Sequence, residues 1–388
     1  MKLIIQNNRG SAMLIALALI LMLTGVAMMA SNRATTDIDL SYNELHSQQA
    51  FYVAESGLMR AVAKLNDSAL WRQGYNNEQL SNGFYTVIIH DSSTIAGLDD
   101  TVIAQSTGSQ SGSAATVEGM IVPKYFQPFK YAAFGDDSLK LQNTACTDSY
   151  NSDSGTYDET QMFDSASIGS NGEITLQNSA DVNGDAITSL NDGITTDREE
   201  NVLGDTSTTA EEFDMGYVSQ EDFDWAEDNS YAPVGFSGSY NYAVGTKTLR
   251  LRNDDSLELQ SGVYYFSSIT LNEGGTITLA PGAKVTIYVV GDLTLNQHSS
   301  LNPGGSPGDF IIYSQGSTLN ISQHTEFRAA FWGPETNILI ENNTEVYGSF
   351  IGKSFTMENS ACVHYDRSLV KIKGSDVLGM EMIAWKQY

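Results

Sequence analysis

Residues 9–33, RGSAMLIALALILMLTGVAMMASNR, decide how the rest of this chain can fold. From Ser11 to Ala30 the stretch carries no charge and no proline, whereas the 388-residue chain has a net charge of −27. An uncharged run of about twenty residues is long enough to cross the ~30 Å hydrocarbon core of a bilayer as a helix. Because Lys2 and Arg9 precede the run, the positive-inside rule predicts a cytoplasmic N-terminus and export of the bulk of the chain.

Three interpretations of this segment compete. A cleaved secretory signal would end near Ala30, but the apolar region of such signals normally spans only about 7–15 residues. A permanent membrane anchor is the simplest alternative. The third interpretation is a processing signal at Arg9-Gly10-Ser11, immediately before the apolar run, where a conventional signal offers no cleavage site.

The helical pattern continues beyond the apolar run. Small and apolar residues recur at helical spacing, at Ala50, Ala54, Gly57, Leu58, Ala61 and Leu65. Since residues 11–65 contain no proline, we expect one continuous helix. Its first half, residues 11–33, would sit in lipid or in the core of a filament, and its amphipathic second half would pack on a domain.

Two stretches resemble the type IV pilin family. Arg9-Gly10-Ser11 with the following apolar run resembles the class III signal, and SQQAFYVAESGLMRAVAKL (residues 47–65) resembles the N-terminal signature of PilX-like minor pilins. The resemblance implies that a prepilin peptidase cleaves between Gly10 and Ser11, and that Ser11 is then methylated on its amine. It implies inner-membrane lipid as the environment before assembly, and other pilin or minor pilin subunits as partners of the N-terminal helix.

The chain departs from major pilins at two positions of the mature sequence. Ser11 would be the first residue in place of Phe, and Ile15 would be the fifth in place of Glu. In the family that Glu aligns a subunit with the N-terminal amine of its neighbour. PilX-like minor pilins and the K-type tip pseudopilin of type II secretion commonly lack it, so Ile15 favours a capping or accessory subunit.

Residues 83–122 contain three β-like runs, GFYTVIIHD, TVIAQSTG and AATVEGMIV. A long helix backed by a small antiparallel sheet is the pilin arrangement. We therefore divide the chain into a leader (1–10), a transmembrane or filament-core half-helix (11–33), a pilin-like helix and sheet (34–123) and a large mainly-β domain (124–388). The predicted fold class is α+β.

The C-terminal domain carries a degenerate repeat, typified by SLKLQNTAC (138–146), TLNISQHTEF (318–327) and SFTMENSACVHYD (354–366). Its anchors Leu295, Ile321, Ile340 and Met357 have spacings that suit the coils of a parallel β-helix. A β-sandwich is the alternative, but its hairpins would show more Asn-Gly and Asp-Gly loops. Asparagines after the strands would occupy left-handed corners and form ladders, namely Asn143, Asn178, Asn296, Asn342 and Asn359.

Residues 195–230 hold twelve acidic residues and a single Arg198, which predicts an acidic surface insertion with a short helix at about residues 211–217. Such an insertion could dock electrostatically or bind cations, although a solvated acidic loop is the simpler interpretation. The strongly negative chain is a poor partner for nucleic acid, whose phosphates it would repel.

No motif in the sequence indicates catalysis, a cofactor or a metal centre, so we expect a non-enzymatic protein. His298 and His324 each follow Gln at equivalent points of two repeats. They could bind a metal or ligand, or they could simply be solvent-facing residues at corners of the coils. Cys146 and Cys362 lie in similar motifs, QNTAC and ENSAC. Export would favour a disulfide between them, whereas a position in distant coils would prevent one.

The sequence therefore predicts a minor pilin or pseudopilin of a type IV pilus or a related secretion filament. Before assembly it would span the inner membrane once, and afterwards it would lie on the pilus or cell surface. Its β-helix would serve adhesion or assembly, with a surface or host ligand as a further partner. The alternative is a membrane-anchored cell-surface β-helix protein that binds carbohydrate or acts on polysaccharide.

Overall fold

The computed structural model describes residues 9–68, 70–91, 101–198, 201–210, 212–213, 215, 218–373 and 377–388. The chain forms two compact units. The first comprises Met1–Tyr125 and Val377–Tyr388, and the second comprises Phe126–Asp376. The prediction assigned all of residues 124–388 to the β-helix domain. That assignment is wrong for the last twelve residues, because they pair with a strand of the first unit.

Helix α1 runs without interruption over Arg9–Asp67. This confirms the continuous helix predicted over residues 11–65. Its first half is exposed from Met13 onward, and its second half buries one face that begins at Ala50, while Tyr52 and Met59 stay exposed. One side of α1, with Ala54, Leu58, Ala61 and Leu65, forms a hydrophobic core with the sheet of the first unit.

That sheet has five antiparallel strands among the described residues, β1 (Tyr75–Leu80), β2 (Gly83–Asp91), β3 (Val102–Gln110), β4 (Ser113–Tyr125) and β28 (Val377–Gln387), in that spatial order. The three predicted runs correspond to β2, β3 and β4. The two edge strands were missed. Strand β1, with the sequence YNNEQL, lacks an apolar alternation, and β28 comes from the other end of the chain.

Small residues let α1 approach this sheet closely. A Cβ at Gly108 of β3 would overlap the backbone of Ala50 and Ala54. A Cβ at Gly57 of α1 would lie 2.6 Å from the Ser106 hydroxyl. The small residues of the 47–65 signature are therefore explained by the packing of helix against sheet.

The second unit is a parallel β-helix, as predicted, because its described strands pair mostly in parallel, unlike those of the alternative sandwich. Over much of this unit each strand pairs with the third strand after it, so a coil contains three strands. The strands are β5 (Ala133–Gln142), β6 (Cys146–Tyr150), β7 (Ile168–Ser170), β8 (Glu173–Gln177), β9 (Asp181–Val182), β10 (Ala186–Thr188), β11 (Ile194–Thr196), β12 (Thr206–Thr208), β13 (Gly235–Ser237), β14 (Asn241–Ala243), β15 (Thr248–Leu251), β16 (Ser256–Leu259), β17 (Gly262–Phe266), β18 (Ser268–Leu271), β19 (Thr276–Leu279), β20 (Val285–Val289), β21 (Leu293–Leu295), β22 (Ser300–Leu301), β23 (Phe310–Ser314), β24 (Thr318–Ile321), β25 (Glu326–Glu341), β26 (Glu345–Glu358) and β27 (Cys362–Asp366). Its helices include α2 (Tyr157–Thr160), α3 (Gln220–Asn229) and the 3₁₀ turns Pro307–Asp309 and Arg367–Lys371.

The predicted anchors stack in register inside this β-helix. Leu295 pairs with Ile321, Ile321 with Ile340, and Ile340 with Met357. All four side chains are fully buried. The column then continues from Met357 to Leu141, although these residues lie far apart in sequence.

The spatial order of the coils therefore differs from their order along the chain. The chain enters the solenoid at β5 and winds away through β8 and β11. It then crosses over through α3 and winds from β15 back to β27. The last coil thereby stacks on the first, with β26 beside β5 and β27 beside β6. We call this contact the coil joint.

Most of the predicted asparagine corners form. Asn143, Asn178, Asn342 and Asn359 have positive φ, and so does the residue after each of them. Their side-chain amides form a ladder in which Asn178 donates to Asn143, Asn143 to Asn359, and Asn359 to Asn342, at 3.0–3.2 Å. The prediction for Asn296 is wrong, because the left-handed pair in that coil is Gln297 and His298.

The acidic insertion contains strand β12 and helix α3. Helix α3 begins after Ser219, whose side chain accepts a hydrogen bond from the Asp222 backbone, and it buries Phe223 and Ala226. The short helix predicted at residues 211–217 does not form at residues 212, 213 and 215. Residues 211, 214, 216 and 217 lie outside the described residues.

Candidate functional sites

The first half of α1 is an exposed apolar surface. It is the one helix among the described residues that is long and apolar enough to cross a membrane. Its exposed large apolar side chains are Met13, Leu14, Ile15, Leu17, Leu19, Ile20, Leu21, Met22, Leu23, Val26, Met28 and Met29. Exposing so much apolar area to water is unfavourable, so this surface requires lipid or other apolar helices.

The predicted processing residues lie at the start of this surface. The backbones of Gly10 and Ser11 are helical. Residues 1–8 of the predicted leader lie outside the described residues. Ile15 is 62% exposed on α1. Cleavage after Gly10, methylation of Ser11 and the role of Ile15 stay predictions.

The coil joint brings the two cysteines together. Cys146 of β6 and Cys362 of β27 are register partners, with Cα atoms 4.6 Å apart, and they form a disulfide. The expectation that they lie in distant coils is wrong, since the first and last coils are neighbours. The similarity of QNTAC and ENSAC reflects equivalent positions in adjacent turns of the solenoid.

A buried histidine bridges the same joint. The Nδ1 of His364 lies 2.6 Å from Oδ1 of Asp148, and its Nε2 lies 2.6 Å from Oε2 of Glu345. Burial lowers the pKa of His364, but the hydrogen bonds and the negative charges of Asp148 and Glu345 together raise it by more, so the pKa of the imidazole is raised overall. His364 therefore holds Asp148 of the first coil and Glu345 of the preceding turn through charge-assisted hydrogen bonds.

Aromatic and cationic side chains extend this cluster along the outer surface of the coils. The Tyr347 ring lies between His364, at a centroid distance of 4.5 Å, and the Arg328 guanidinium, at 3.6 Å. Arg328 also donates a hydrogen bond to Glu326. Tyr157 of α2 covers His364 and donates a hydrogen bond to Asp148 at 2.7 Å.

A cleft of about 460 Å³ opens beside this cluster. Its walls come from both sides of the coil joint, with Tyr150 and residues 155–159 on one side and residues 304–306 with Arg328 and Tyr347 on the other. Ser152 at the boundary donates a hydrogen bond to the buried Asp366 and lies 3.1 Å from the Ser306 hydroxyl. Such a volume is typical of a small-ligand site.

Sequence reasoning missed this site because its members are separated by some two hundred positions. His364 and Asp148 are 216 residues apart, as are Asn359 and Asn143. A signal was nevertheless present, since SFTMENSAC and SLKLQNTAC match each other closely. Aligning these two repeats would have placed His364 opposite Asp148.

The predicted histidine pair does come together. The His298 and His324 rings stack at a centroid distance of 5.2 Å, on exposed left-handed corners. Within the described part of the chain, no group of three or more His, Cys, Asp or Glu side chains is arranged to hold a metal ion.

Comparisons with known proteins give the following similarities. A family model described as a domain of unknown function, DUF7305, matches residues 268–372. No curated protein matches the chain. The competence-associated pilin ComZ from Thermus thermophilus is 12% identical, covering 88% of this chain and 98% of that one, with a TM-score of 0.36.

Ice-binding proteins are also among the similar solved structures. The protein LeIBP from an Arctic yeast is 11% identical, covering 66% of this chain and 97% of that one, with a TM-score of 0.36. An ice-binding protein of Shewanella frigidimarina is 14% identical, covering 63% of this chain and 98% of that one, with a TM-score of 0.28.

Proposed function

We propose that this protein is a non-enzymatic minor pilin or pseudopilin, a low-copy subunit of a type IV pilus or a related secretion filament. The N-terminal half of α1 holds it in the inner membrane before assembly. The same half-helix then packs among the helices of neighbouring subunits. The β-helix remains on the pilus or cell surface, where it serves adhesion or assembly.

The observation that carries the proposal is the division of α1 into two halves. Residues 13–45 are exposed almost throughout, and from Ala50 one face of the same unbroken helix is buried against an antiparallel sheet. If the segment were a secretory signal removed near Ala30, its exposed apolar surface would have no role in the mature protein. A helix that passes from lipid into a bundle of similar helices keeps the whole apolar surface covered, because both environments are apolar.

The size of the second unit supports an accessory position. Residues 126–376 form a solenoid much larger than the helix–sheet unit. A repeating shaft would have to accommodate this bulk around every helix. Ile15 in place of the usual Glu supports the same position, because a subunit at the end of a filament has a helical neighbour on one side alone.

The mature N-terminus tests the proposal. Intact-mass and N-terminal peptide mass spectrometry of the protein from its native membrane should show a chain that begins at methylated Ser11. A chain that begins at Met1, or beyond Ala30, would refute the pilin assignment. A Gly10→Val variant supplies the control, since prepilin peptidase should no longer cleave it while membrane insertion is retained.

The role of Ile15 is tested separately. An Ile15→Glu variant should enter filaments more often, or at internal positions, when it is visualised by immunogold labelling of sheared pili. An unchanged number and distribution of labels would remove the argument from Ile15. An Ile20→Glu variant is the matched control, because it places the same charge one and a half turns further along the apolar surface.

A further inference from the structure

The two ends of the β-helix differ in how their last coil is covered. At the end formed by β15 and β16, strands β14 and β13 pair with them in antiparallel fashion. Phe236 and Tyr242 of these two strands pack against the hydrophobic core. Inward side chains of that end coil, such as Leu249 and Leu257, are therefore fully buried. The chain supplies its own cap at this end.

The opposite end, at β11 and β12, is not covered in this way, and we call its residues 193–208 the open coil. Thr196 of β11 is the register partner of Leu176, which is fully buried in the coil before. Thr196 itself is exposed, and so are Thr206 and Thr208, which are register partners of buried residues of β10. Ile194 is only partly buried. The inward positions of the open coil therefore reach solvent.

The open coil also presents free backbone groups. Among the strand pairs of the described residues, β11 pairs with β8 and β12 with β10, so the outer edge of each is left without a partner strand. Asp205 and Thr209 form backbone hydrogen bonds with β10 at 3.0 and 2.8 Å. Because successive backbone groups of a strand point to opposite edges, those of Thr206 and Thr208 point away from β10. An exposed edge of this kind can accept a further strand.

A groove of about 240 Å³ lies between β11 and β12 in the open coil. Its walls combine threonine hydroxyls with the side chain of Ile194. Apolar surface continues beside it, where Leu190 is 48% exposed and Leu203 is 66% exposed. A segment that carries both polar and apolar side chains would cover this surface, as Phe236 and Tyr242 cover the core at the other end.

The charge at the open coil decides between possible partners. Asp192 lies in the wall of the groove and Asp205 lies immediately before β12, and both are exposed. Within the described ranges neither carboxylate takes part in an ion pair, and Arg198, the single basic residue of segment 195–230, pairs with Asp181 instead. A second copy would bring the same acidic residues to the edge and would be repelled. A strand with basic side chains would be attracted, because opposite charges on neighbouring strands stabilise their pairing.

We propose that the open coil is completed by an extended strand of another protein that carries Lys or Arg side chains. The strand pairs with the outer edge of β12 through the backbone groups of Thr206 and Thr208, and its basic side chains lie near Asp192 and Asp205. The inference gives the exposed β-helix a class of partner, and in that sense it rests on the proposed function.

Binding is tested with synthetic peptides on the full chain in lipid nanodiscs. The probe is a fluorescent peptide of about eight residues, a typical strand length, in which lysine alternates with threonine and tyrosine. One control has glutamate in place of lysine. A second control keeps the lysines but is N-methylated along its backbone, so that it has the same charge and cannot pair as a strand. Fluorescence anisotropy should show binding of the probe and about tenfold weaker binding, or none, of both controls.

The Thr208→Pro variant tests where the peptide binds. Proline removes a backbone N–H that points to the free edge, and edge strands tolerate proline at such a position, so the fold is retained. Affinity for the lysine peptide should fall about tenfold. Thr208→Val keeps the N–H and is the matched control, which should bind as the natural chain does. Equal binding by the two variants would overturn the proposal, and so would equal binding of the lysine and glutamate peptides.

A measurement on the natural chain makes the test independent of any variant. Binding of the lysine peptide should slow amide hydrogen exchange in residues 193–208 and leave exchange at the capped end, around β15 and β16, unchanged. Unchanged exchange in the open coil, or no binding of the lysine peptide at about 1 mM, would overturn the proposal.

Failure of this inference is distinguishable from failure of the filament role. Peptide binding is measured on the purified protein and needs no filament. A mature chain that begins at methylated Ser11 but binds no lysine peptide would refute the strand partner alone. A chain that begins at Met1 and binds the peptide at the open coil would refute the filament role alone.

Discussion

Removing the disulfide at the coil joint should destabilise the β-helix strongly. The perturbation is the double variant Cys146→Ser/Cys362→Ser. The bond closes a loop with a sequence separation of 216 residues. For a loop of this length the chain-entropy relation gives about 5 kcal/mol at 25 °C, since the entropy lost by the unfolded chain grows with the logarithm of the loop length.

Urea unfolding followed by far-ultraviolet circular dichroism measures this effect. With a denaturant slope of about 3 kcal/mol/M or more, a loss of about 5 kcal/mol lowers the midpoint by about 1–2 M. Reductant should shift the natural chain toward the variant and leave the variant unchanged. This second comparison separates the bond from any effect of the serine side chains.

The position of the disulfide also predicts which part of the β-helix loses stability first. Hydrogen exchange should increase first in residues 133–150 and 350–366, the strands on the two sides of the joint, and later in the end coils around β12 and β15. A midpoint that moves by less than about 0.3 M would refute the reasoning from loop length. Exchange that increases at the ends and not at the joint would refute the expectation that the loss of stability is concentrated at the joint.

Two further predictions concern His364 and Gly108. Because the folded-state pKa of His364 is raised, the stabilisation that His364 gives the fold should be complete below its ordinary pKa of about 6.5 and should fall as the pH rises through the raised value. Urea midpoints measured from about pH 6 to about pH 9 should show this decline in the natural chain and no such decline in the His364→Gln variant. A pH-independent midpoint in the natural chain would contradict the prediction. Gly108→Val should destabilise the helix–sheet unit by about 2–3 kcal/mol, because the added carbons overlap the backbone of α1. Faster hydrogen exchange in β2–β4 would show this, whereas the control Gly25→Ala, which adds a methyl in open space, should leave exchange there unchanged.

Elements with a strong local pattern could be predicted from the sequence. Helix α1 has an uninterrupted apolar run followed by small residues at helical spacing, and both properties are local. The register of Leu295, Ile321, Ile340 and Met357 follows from the repeat itself, because identical positions of successive coils must stack. Strands β2–β4 alternate clearly enough to be located within a few residues.

Features that depend on distant parts of the chain could not be predicted in this way. The pairing of β28 with β4 and of Met357 with Leu141 is set by the path of the chain, which no local pattern reveals. The corner at Gln297 was placed one residue too early, at Asn296, because asparagine was taken as the marker of a left-handed residue. Here the two-residue corner has a fixed position after the strand, and that position overrides residue preference.

The path of the chain also constrains the order in which the protein can fold. Strands β5 and β6 are synthesised before the rest of the solenoid, but their neighbours across the joint, β26 and β27, are synthesised last. The sheet of the first unit likewise cannot be completed until β28 has been synthesised. Both units are closed by contacts between residues that are hundreds of positions apart, and such contacts slow folding. Under the proposed export, the chain stays incomplete, with open strand edges, until residues 345–388 have crossed the membrane. Oxidation of Cys146 with Cys362 would then mark a molecule whose solenoid has closed.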